Sequence, residues 1–173
     1  MIMKKRKGQI LVMFILIIPV FLFLLGAIID YGRIQIARTY LQGAVDSIAL
    51  SATKQSFDMV ASSNDTAGHK IISMANFTDG SGNSKPGFVS TVKDLINDNN
   101  KLNPRYIITW DPSSCRVDNS NPPIITDCVY RSDKGAMILT LHTEVKMIFL
   151  SVFNFKPVKL QATGESSLKT KLL

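Results

Sequence analysis

Two cysteines and two histidines are the side chains here best suited to chemistry. Cys115 and Cys128 flank the polar stretch RVDNSNPPIITD. Outside the cytoplasm an even cysteine count favours a disulfide, and closing a loop of this size stabilises a fold by about 3 kcal/mol. The alternative is a metal site that also uses His69 and His142, but the sequence has no C-x-x-C or H-x-x-x-H spacing to support it. We therefore predict a disulfide and interpret both histidines as ordinary polar surface residues.

Local motifs of catalytic and phosphate-binding sites are absent from the sequence. It contains no G-x-S-x-G, no G-x-x-x-x-G-K-[ST] and no H-E-x-x-H. Glutamate occurs only as Glu144 and Glu165, and Glu144 falls on the polar side of a predicted strand. A catalytic site assembled from residues that are far apart in the sequence stays an alternative. The sequence favours a protein that acts by contact and not as an enzyme, with no cofactor, metal or small-molecule substrate.

The basic charge is concentrated ahead of an apolar run. The formal net charge is +7, and four of the 20 basic residues are Lys4, Lys5, Arg6 and Lys7. Residues 30–173 hold the other 16 against 13 acidic residues, with no basic stripe of the kind that binds nucleic acid. The N-terminal cluster is therefore a topology signal, which places residues 1–8 in the cytoplasm and the chain beyond about residue 30 outside it.

The apolar run is long enough to cross a bilayer. Ile10–Ile29 is a stretch of 20 uncharged residues, and a helix of that length spans about 30 Å, the thickness of the hydrocarbon core. Pro19 lies inside it, but transmembrane helices tolerate proline. The alternative is a cleaved secretory signal, which has a shorter apolar region and an A-x-A-like cleavage site. We predict a retained transmembrane helix over residues 9–29, called the apolar span below.

Charged residues return where the apolar span ends. Asp30 and Arg33 are spaced i, i+3, so they can pair on one helix face and fix the depth of the helix. Gly32 between them leaves this level without bulk, which suits close passage of a neighbouring helix. The alternative is a simple interfacial stop signal.

Helical periodicity continues beyond the membrane. Apolar residues recur at steps of three and four at Ile34, Ala37, Leu41, Ala44, Ile48 and Ala52. No proline occurs between Val20 and Lys85, so we predict one helix over about residues 9–57, amphipathic over residues 30–57. Its stripe packs either on the chain's own outer domain or on another subunit.

Residues 58–173 have the pattern of a small α+β domain. Asp65 and Thr66 can cap a short helix through Phe77, and FVSTVKDLINDN after a glycine-rich loop predicts a second helix. RYIITW is a short strand, residues 136–147 alternate as a longer strand, and PVKLQATGESS can pair beside it. The predicted fold class is therefore α+β: a long N-terminal helix, then an extracytoplasmic domain with short helices and an antiparallel sheet.

The N-terminal third resembles a known family. KGQILVMFILIIPVFLFLLGAIIDYGR followed by LQGAVDSIALSA is similar to the N-terminal module of the Tad (tight adherence, Flp pilus) assembly proteins, the TadE/TadG-like group. The resemblance covers about the first 55 residues, and VKLQATGESS is loosely similar to the closing strand of such proteins. The matching residues are Gly8, Gln9, Pro19, Asp30, Gly32, Arg33, Leu41, Gln42, Ala44, Asp46, Ala49, Leu50 and Ala52.

The resemblance implies a single-pass protein of the bacterial cell membrane that helps to build or anchor Flp-type pili. Its implied partners are membrane lipid and other pilus-assembly proteins or pilin, with a homo-oligomer possible. A first alternative is a pilin-like subunit of the fibre itself. Such pseudopilins are cut after a glycine and carry a glutamate five residues later, where this chain has Met13. A second alternative is an anchored binding or sensor domain unrelated to pili.

Overall fold

The computed structural model describes residues 6–60, 74–78, 84–117, 126–131 and 136–167. The chain falls into two compact units, Met1–Ala37 with Val145–Val158 and Arg38–Glu144 with Lys159–Leu173. A long helix, a short helix and a small sheet confirm the predicted α+β class. The helices are α1 (Arg6–Val60) and α2 (Phe88–Leu102), and the strands are β1 (Phe77–Thr78), β2 (Ser84–Lys85), β3 (Ile108–Thr109), β4 (Arg116–Val117), β5 (Cys128–Arg131), β6 (Ala136–Val145) and β7 (Val158–Ser167).

In the first unit, α1 is one continuous helix whose apolar side chains have no core around them. The helix runs through Pro19 without a break. From Leu11 to Leu25 the large apolar side chains are 39–67% exposed. Among the described residues α1 alone is long and apolar enough to cross a membrane, and its most apolar window, of mean hydropathy 3.1, is only 6% buried. That exposure is unlike the core helix of a soluble protein and suits a helix surrounded by lipid.

In the second unit, one side of α1 is buried by the chain itself. The buried residues recur at helical spacing and are Leu41, Ala44, Val45, Ile48, Ala49 and Ala52. Leu41, Ala44, Ile48 and Ala52 belong to the stripe seen in the sequence, and here they are covered by the chain's own residues. The division of the chain at residues 8, 29 and 57 stays a prediction.

The sheet of the second unit is organised around β6. This strand pairs antiparallel with β5 over residues 136–139 and with β3 at Thr143 and His142, and it also pairs with β7. One short pair departs from the predicted antiparallel arrangement, because β4 runs parallel to β5. Met137, Leu139 and Leu141 alternate into the core as predicted and are fully buried. The core is completed by α2, which buries Phe88, Val92 and Ile96.

Some local predictions were wrong. The helix expected to end at Phe77 falls partly on residues 61–73, outside the described ranges, but Met74–Phe77 are not helical and Phe77 begins β1, which pairs with β2. The Asn76 side chain instead accepts hydrogen bonds from Gly87 N and Ser90 Oγ. The strand predicted in RYIITW, in contrast, is present but shorter, since it covers only Ile108–Thr109.

The polar side of β6 is less exposed than its alternation predicts. Thr140 is 6% exposed, and its hydroxyl shares a hydrogen bond of 2.9 Å with that of Thr163 on β7, the strand paired with β6. A neighbouring strand can cover a polar residue that faces water in an isolated hairpin, and the sequence of β6 alone does not show this.

Strand β7 lies against the backbone of α1 at Gly164. A Cβ atom at Gly164 would come within 3.0 Å of Asp46 Oδ1 and 3.3 Å of the Val45 carbonyl oxygen. Further along the strand, Ser166 Oγ donates to the Ala49 carbonyl at 3.2 Å and shares a hydrogen bond with the Thr53 hydroxyl. This close approach favours glycine at position 164, because a Cβ there would force its neighbours to shift by a few tenths of an ångström.

We therefore expect Gly164→Val to lower the free energy of unfolding of the full chain in detergent by about 1–3 kcal/mol, because the added carbons overpack the contact with Val45 and Asp46. Gly43→Ala is the matched control, since a Cβ there meets no described residue within 4 Å and alanine favours the helix by about 0.5–1 kcal/mol. Denaturant titration measures both. Equal stability of the wild type and Gly164→Val would contradict the close packing.

Candidate functional site

Asp30 is a buried carboxylate at the end of the apolar span. Its side chain is 0% exposed. It accepts three backbone hydrogen bonds, from Ile148 N at 2.9 Å, Phe149 N at 3.0 Å and Leu150 N at 2.8 Å. All three donors belong to residues 146–157, which join β6 to β7 and are called the β6–β7 loop below. A carboxylate removed from water needs such donors, and hydrogen bonds to a charged acceptor are among the strongest.

The same contact also provides hydrogen-bond acceptors for backbone N–H groups of the loop. It contains a 3₁₀ helix, Leu150–Phe153, that has no side-chain cap of its own. The first N–H groups of a helix have no partner within the helix, and Asp30 supplies an acceptor for those at its start. Two segments separated by 118 residues in sequence are thus joined through groups that would otherwise be unpaired.

Arg33 lies within ion-pair distance of Asp30, as its spacing predicts, and it also binds the β6–β7 loop. Its Nη1 lies 3.9 Å from Asp30 Oδ1, at the outer limit of an ion pair, whereas it donates to the Lys146 carbonyl at 3.1 Å. Both Asp30 and Arg33 therefore bind the backbone of the β6–β7 loop. Their i, i+3 spacing places them on one side of the helix, as predicted, but their principal partners are on this loop.

Two contacts continue the docking of the loop along α1. A Cβ at Gly26 would lie 2.7 Å from Phe149 Cβ, so the helix and the loop meet there at backbone distance. The rings of Phe23 and Phe153 meet edge to face with centroids 5.0 Å apart, a favourable aromatic geometry. Gly32, in contrast, has no neighbour within 4 Å in the described part of the chain, so the position without bulk that was expected there is open on this side.

Gln42 and Asp46 lie at the contact between α1 and β7. Gln42 Nε2 donates to Asp46 Oδ1 at 3.1 Å and to the Thr163 carbonyl at 3.3 Å. Asp46 also faces Gly164. The polar residues of LQGAVDSIALSA thus hold the last strand. Leu41 and Ala44, between and beside them, are buried.

Comparison with known proteins bears on this same stretch. Residues 8–56 match a family described as "Tad: Putative Flp pilus-assembly TadE/G-like". The N-terminal segment is TadE/G-like. No curated protein and no solved structure matches the chain.

The TadE/G-like segment includes the helix residues described above that contact the β6–β7 loop or β7. Asp30 and Arg33 bind the loop, Gln42 and Asp46 bind the strand, and Ala49 accepts from Ser166. The motif residues therefore hold the two later parts of the chain to α1. Their partners, in residues 146–166, lie outside the matched range.

The cysteines, the histidines and the N-terminal cations are the other residues that the sequence suggested for a disulfide, a metal site or a topology signal. Cys115 and Cys128 form a disulfide with Cα atoms 4.4 Å apart. His142 Nε2 lies 2.9 Å from Asp127 Oδ1, and His69 falls outside the described residues. Lys4 and Lys5 also fall outside them. Arg6 and Lys7 begin α1.

A 3₁₀ helix, Pro112–Ser114, leads into the disulfide. Asp111 caps it by accepting from Ser113 N at 2.9 Å and Ser113 Oγ at 2.6 Å, and the hydroxyl and backbone hydrogen bonds of Ser113 hold the pKa of this carboxyl below its usual value. The described ranges contain no group of three or more His, Cys, Asp or Glu that could hold a metal ion.

Two open clefts lie in the second unit. One, of about 700 Å³, is next to Gln42 and has the cations Arg38 and Lys159 in its wall. The other, of about 600 Å³, lies beside Cys115, and its charged wall residues are Lys93 and Arg116. Among the described residues, neither wall contains a carboxylate or a histidine that could act as a general base.

The β6–β7 loop was missed at the sequence level, although a signal for it exists. MIFLSVFNF is an apolar run that follows the alternating pattern of β6 and is bracketed by Lys146 and Lys156. Such a run has neither the length of a transmembrane helix nor the alternation of a half-buried strand. It is a candidate contact surface, but its partner Asp30 could not be found from spacing.

We expect the thiols of Cys115 and Cys128 to be blocked in native protein. In material taken from the envelope without reductant, an alkylating reagent adds to neither cysteine, and after reduction under denaturing conditions it adds to both. Mass spectrometry of the peptides reads this directly. Two alkylated thiols in the unreduced sample would contradict the disulfide.

Proposed function

We propose that this protein is a single-pass, membrane-anchored component of a Tad/Flp-type pilus-assembly machine that acts through protein contacts. The observation that carries the proposal is the TadE/G-like match over residues 8–56, which covers both the apolar helix and the residues that hold the loop and the last strand. The exposed apolar side chains of α1 support the anchor. The partners proposed are membrane lipid and other pilus-assembly proteins or pilin.

Two glycines of α1 offer room for a partner helix. At both Gly32 and Gly43, no atom of the residues that the structure describes lies within 4 Å of a Cβ built there. Small residues let a second backbone approach closely, which is how helices associate in membranes. Since Leu41 and Ala44 are already buried within the chain, a partner or a second copy would approach α1 at the open glycine positions.

The orientation proposed follows from charge. The cluster Lys4–Lys7 precedes the apolar span, and positively charged flanks stay in the cytoplasm. The domain after the span is then extracytoplasmic, the compartment in which a disulfide persists.

A protease added to intact spheroplasts is therefore expected to digest the chain beyond residue 57 and to spare its N-terminus. Moving the four charges to the other side of the span should weaken or invert this pattern. Immunoblots with tags at the two ends distinguish the outcomes. Protection of the C-terminal domain in intact spheroplasts would contradict the orientation.

The fibre-subunit alternative differs in its N-terminus. A subunit of that type loses its leader after a glycine and pairs a buried glutamate with a neighbour. A carboxylate at the centre of a membrane helix costs about 3 kcal/mol, so it is retained only where such pairing compensates it. Here Met13 occupies that place, and residues 9–29 contain no charge. Arg6-Lys7-Gly8 nevertheless resembles the end of a cleavable leader peptide, so cleavage after Gly8 can be tested directly.

Intact-mass analysis of protein extracted from the native membrane is expected to show a chain that retains Lys4 to Gly8, because no carboxylate in the span serves fibre assembly. A mature N-terminus at Gln9 would contradict this and favour the fibre subunit.

Purification of the tagged full chain from the native membrane tests the function itself. Co-purification with inner-membrane pilus proteins supports the assembly role, and recovery in sheared fibres supports the fibre subunit. If neither is observed, the result supports a binding domain unrelated to pili. Gly32→Leu should reduce the co-purified protein by filling the open space. The matched control is Ile36→Leu, an exposed position on the same helix whose bulk is kept.

A further inference from the structure

The β6–β7 loop exposes an unusual amount of apolar surface. Five large side chains within eight residues are 44–80% exposed: Ile148, Phe149, Val152, Phe153 and Phe155. Apolar residues scattered singly on a surface are ordinary, but a contiguous patch marks a place where something other than water is bound.

The position of the loop on α1 indicates what covers this patch. Phe149 lies against Gly26 and Phe153 against Phe23, and both helix positions are within the apolar span. Leu22, Leu24 and Leu25 at the same level of the helix are themselves 44–62% exposed. Whatever medium surrounds the end of the apolar span therefore also meets the loop.

The backbone of the loop is suited to a medium poor in water. Asp30 accepts the N–H groups of Ile148, Phe149 and Leu150. The carbonyl groups of the loop itself accept those of Val152, Asn154 and Phe155, with Asn154 in the left-handed conformation that ends the 3₁₀ helix. Irregular backbone near a hydrocarbon core requires such internal pairing, since no water satisfies it there.

Charge brackets the apolar run. Lys146 precedes it and Lys156 follows it, and both are exposed. Lysine side chains extend from an apolar boundary towards lipid phosphates, and each basic residue near an anionic surface favours binding. Aromatic residues in the middle with cations at both ends are the arrangement of segments that lie at the boundary between headgroups and acyl chains.

We propose that the β6–β7 loop is a second membrane contact, in which Ile148, Val152 and Phe155 insert between the lipids of the leaflet where α1 emerges, while Lys146 and Lys156 bind anionic headgroups. The occupant of the patch is the bilayer itself. The inference rests on the membrane anchor of the proposed function and is independent of the role in pilus assembly. The chain then contacts the membrane through α1 and through the β6–β7 loop, which lies more than 100 residues later in the sequence.

Tryptophan fluorescence in vesicles tests the proposal with the full chain. Trp110 is the one tryptophan of the sequence, so Trp110→Phe gives a dark background, and its indole Nε1 has no hydrogen-bond partner among the described residues. Val152→Trp and Phe155→Trp each place a reporter in the loop. Leu102→Trp is the matched control, because this α2 residue is 86% exposed and lies outside the loop.

Each variant is reconstituted at low protein density into vesicles of phosphatidylcholine and anionic phosphatidylglycerol, with ordinary or brominated acyl chains. The two loop reporters are expected to emit at shorter wavelength than Leu102→Trp and to lose intensity in brominated lipid, most strongly when the bromine lies near the headgroup end. The control should keep its intensity in both lipids.

The failures are distinguishable. If the protein floats with the vesicles but the loop reporters emit as the control does, the anchor holds and the loop proposal is overturned. A blue-shifted emission that bromine does not quench, and that disappears on further dilution with lipid, means that a second copy covers the loop, which also overturns it. A protein that does not float with vesicles overturns the anchor and the loop contact together.

Discussion

The three hydrogen bonds from the backbone of the β6–β7 loop to the Asp30 carboxylate are the interaction on which the first unit depends. A carboxylate without solvent requires donors, and the start of a 3₁₀ helix requires acceptors. At the end of an apolar span neither requirement can be met by water as readily as on a soluble surface. The two groups satisfy each other at 2.8–3.0 Å. Gly26 and Phe23 then fit the loop closely to the helix.

The second unit likewise joins α1 to a later part of the chain, but through a glycine contact and neutral hydrogen bonds. Gly164 allows β7 to reach the backbone of α1, and Gln42 and Ser166 satisfy carbonyl groups across that contact. The TadE/G-like segment is therefore more than an apolar anchor, since its polar residues organise parts of the chain that lie beyond it. Its own small residues at Gly32 and Gly43 leave the helix open where the chain does not cover it.

Elements with a long or strongly periodic pattern could be predicted from the sequence. The apolar helix, α2 and the alternating strand β6 follow from length and periodicity, and the cysteine pair follows from number and compartment. The two-residue strands β1 and β2 could not, because so short a segment carries no period and its pairing depends on its partner strand. Arg33 illustrates the limit for the site: helix spacing suggested Asp30 as its partner, but a carbonyl 113 residues away is closer. Helix spacing predicts contacts between neighbours on one helix, but it does not predict contacts with a loop that folds back onto that helix.

The most direct measurement is hydrogen exchange of the full chain in a bilayer, comparing the wild type with Asp30→Asn. The asparagine amide keeps one acceptor oxygen but turns an NH₂ group towards the donors, so hydrogen bonds to a charged acceptor are lost. The account predicts that the amides of Ile148, Phe149 and Leu150 exchange about tenfold faster or more, while those of β6 and β7 keep their rates. Asp98→Asn, which removes only an exposed pair with Lys101, should leave all of them unchanged. Equal exchange of the three loop amides in Asp30→Asn and the wild type would contradict the account.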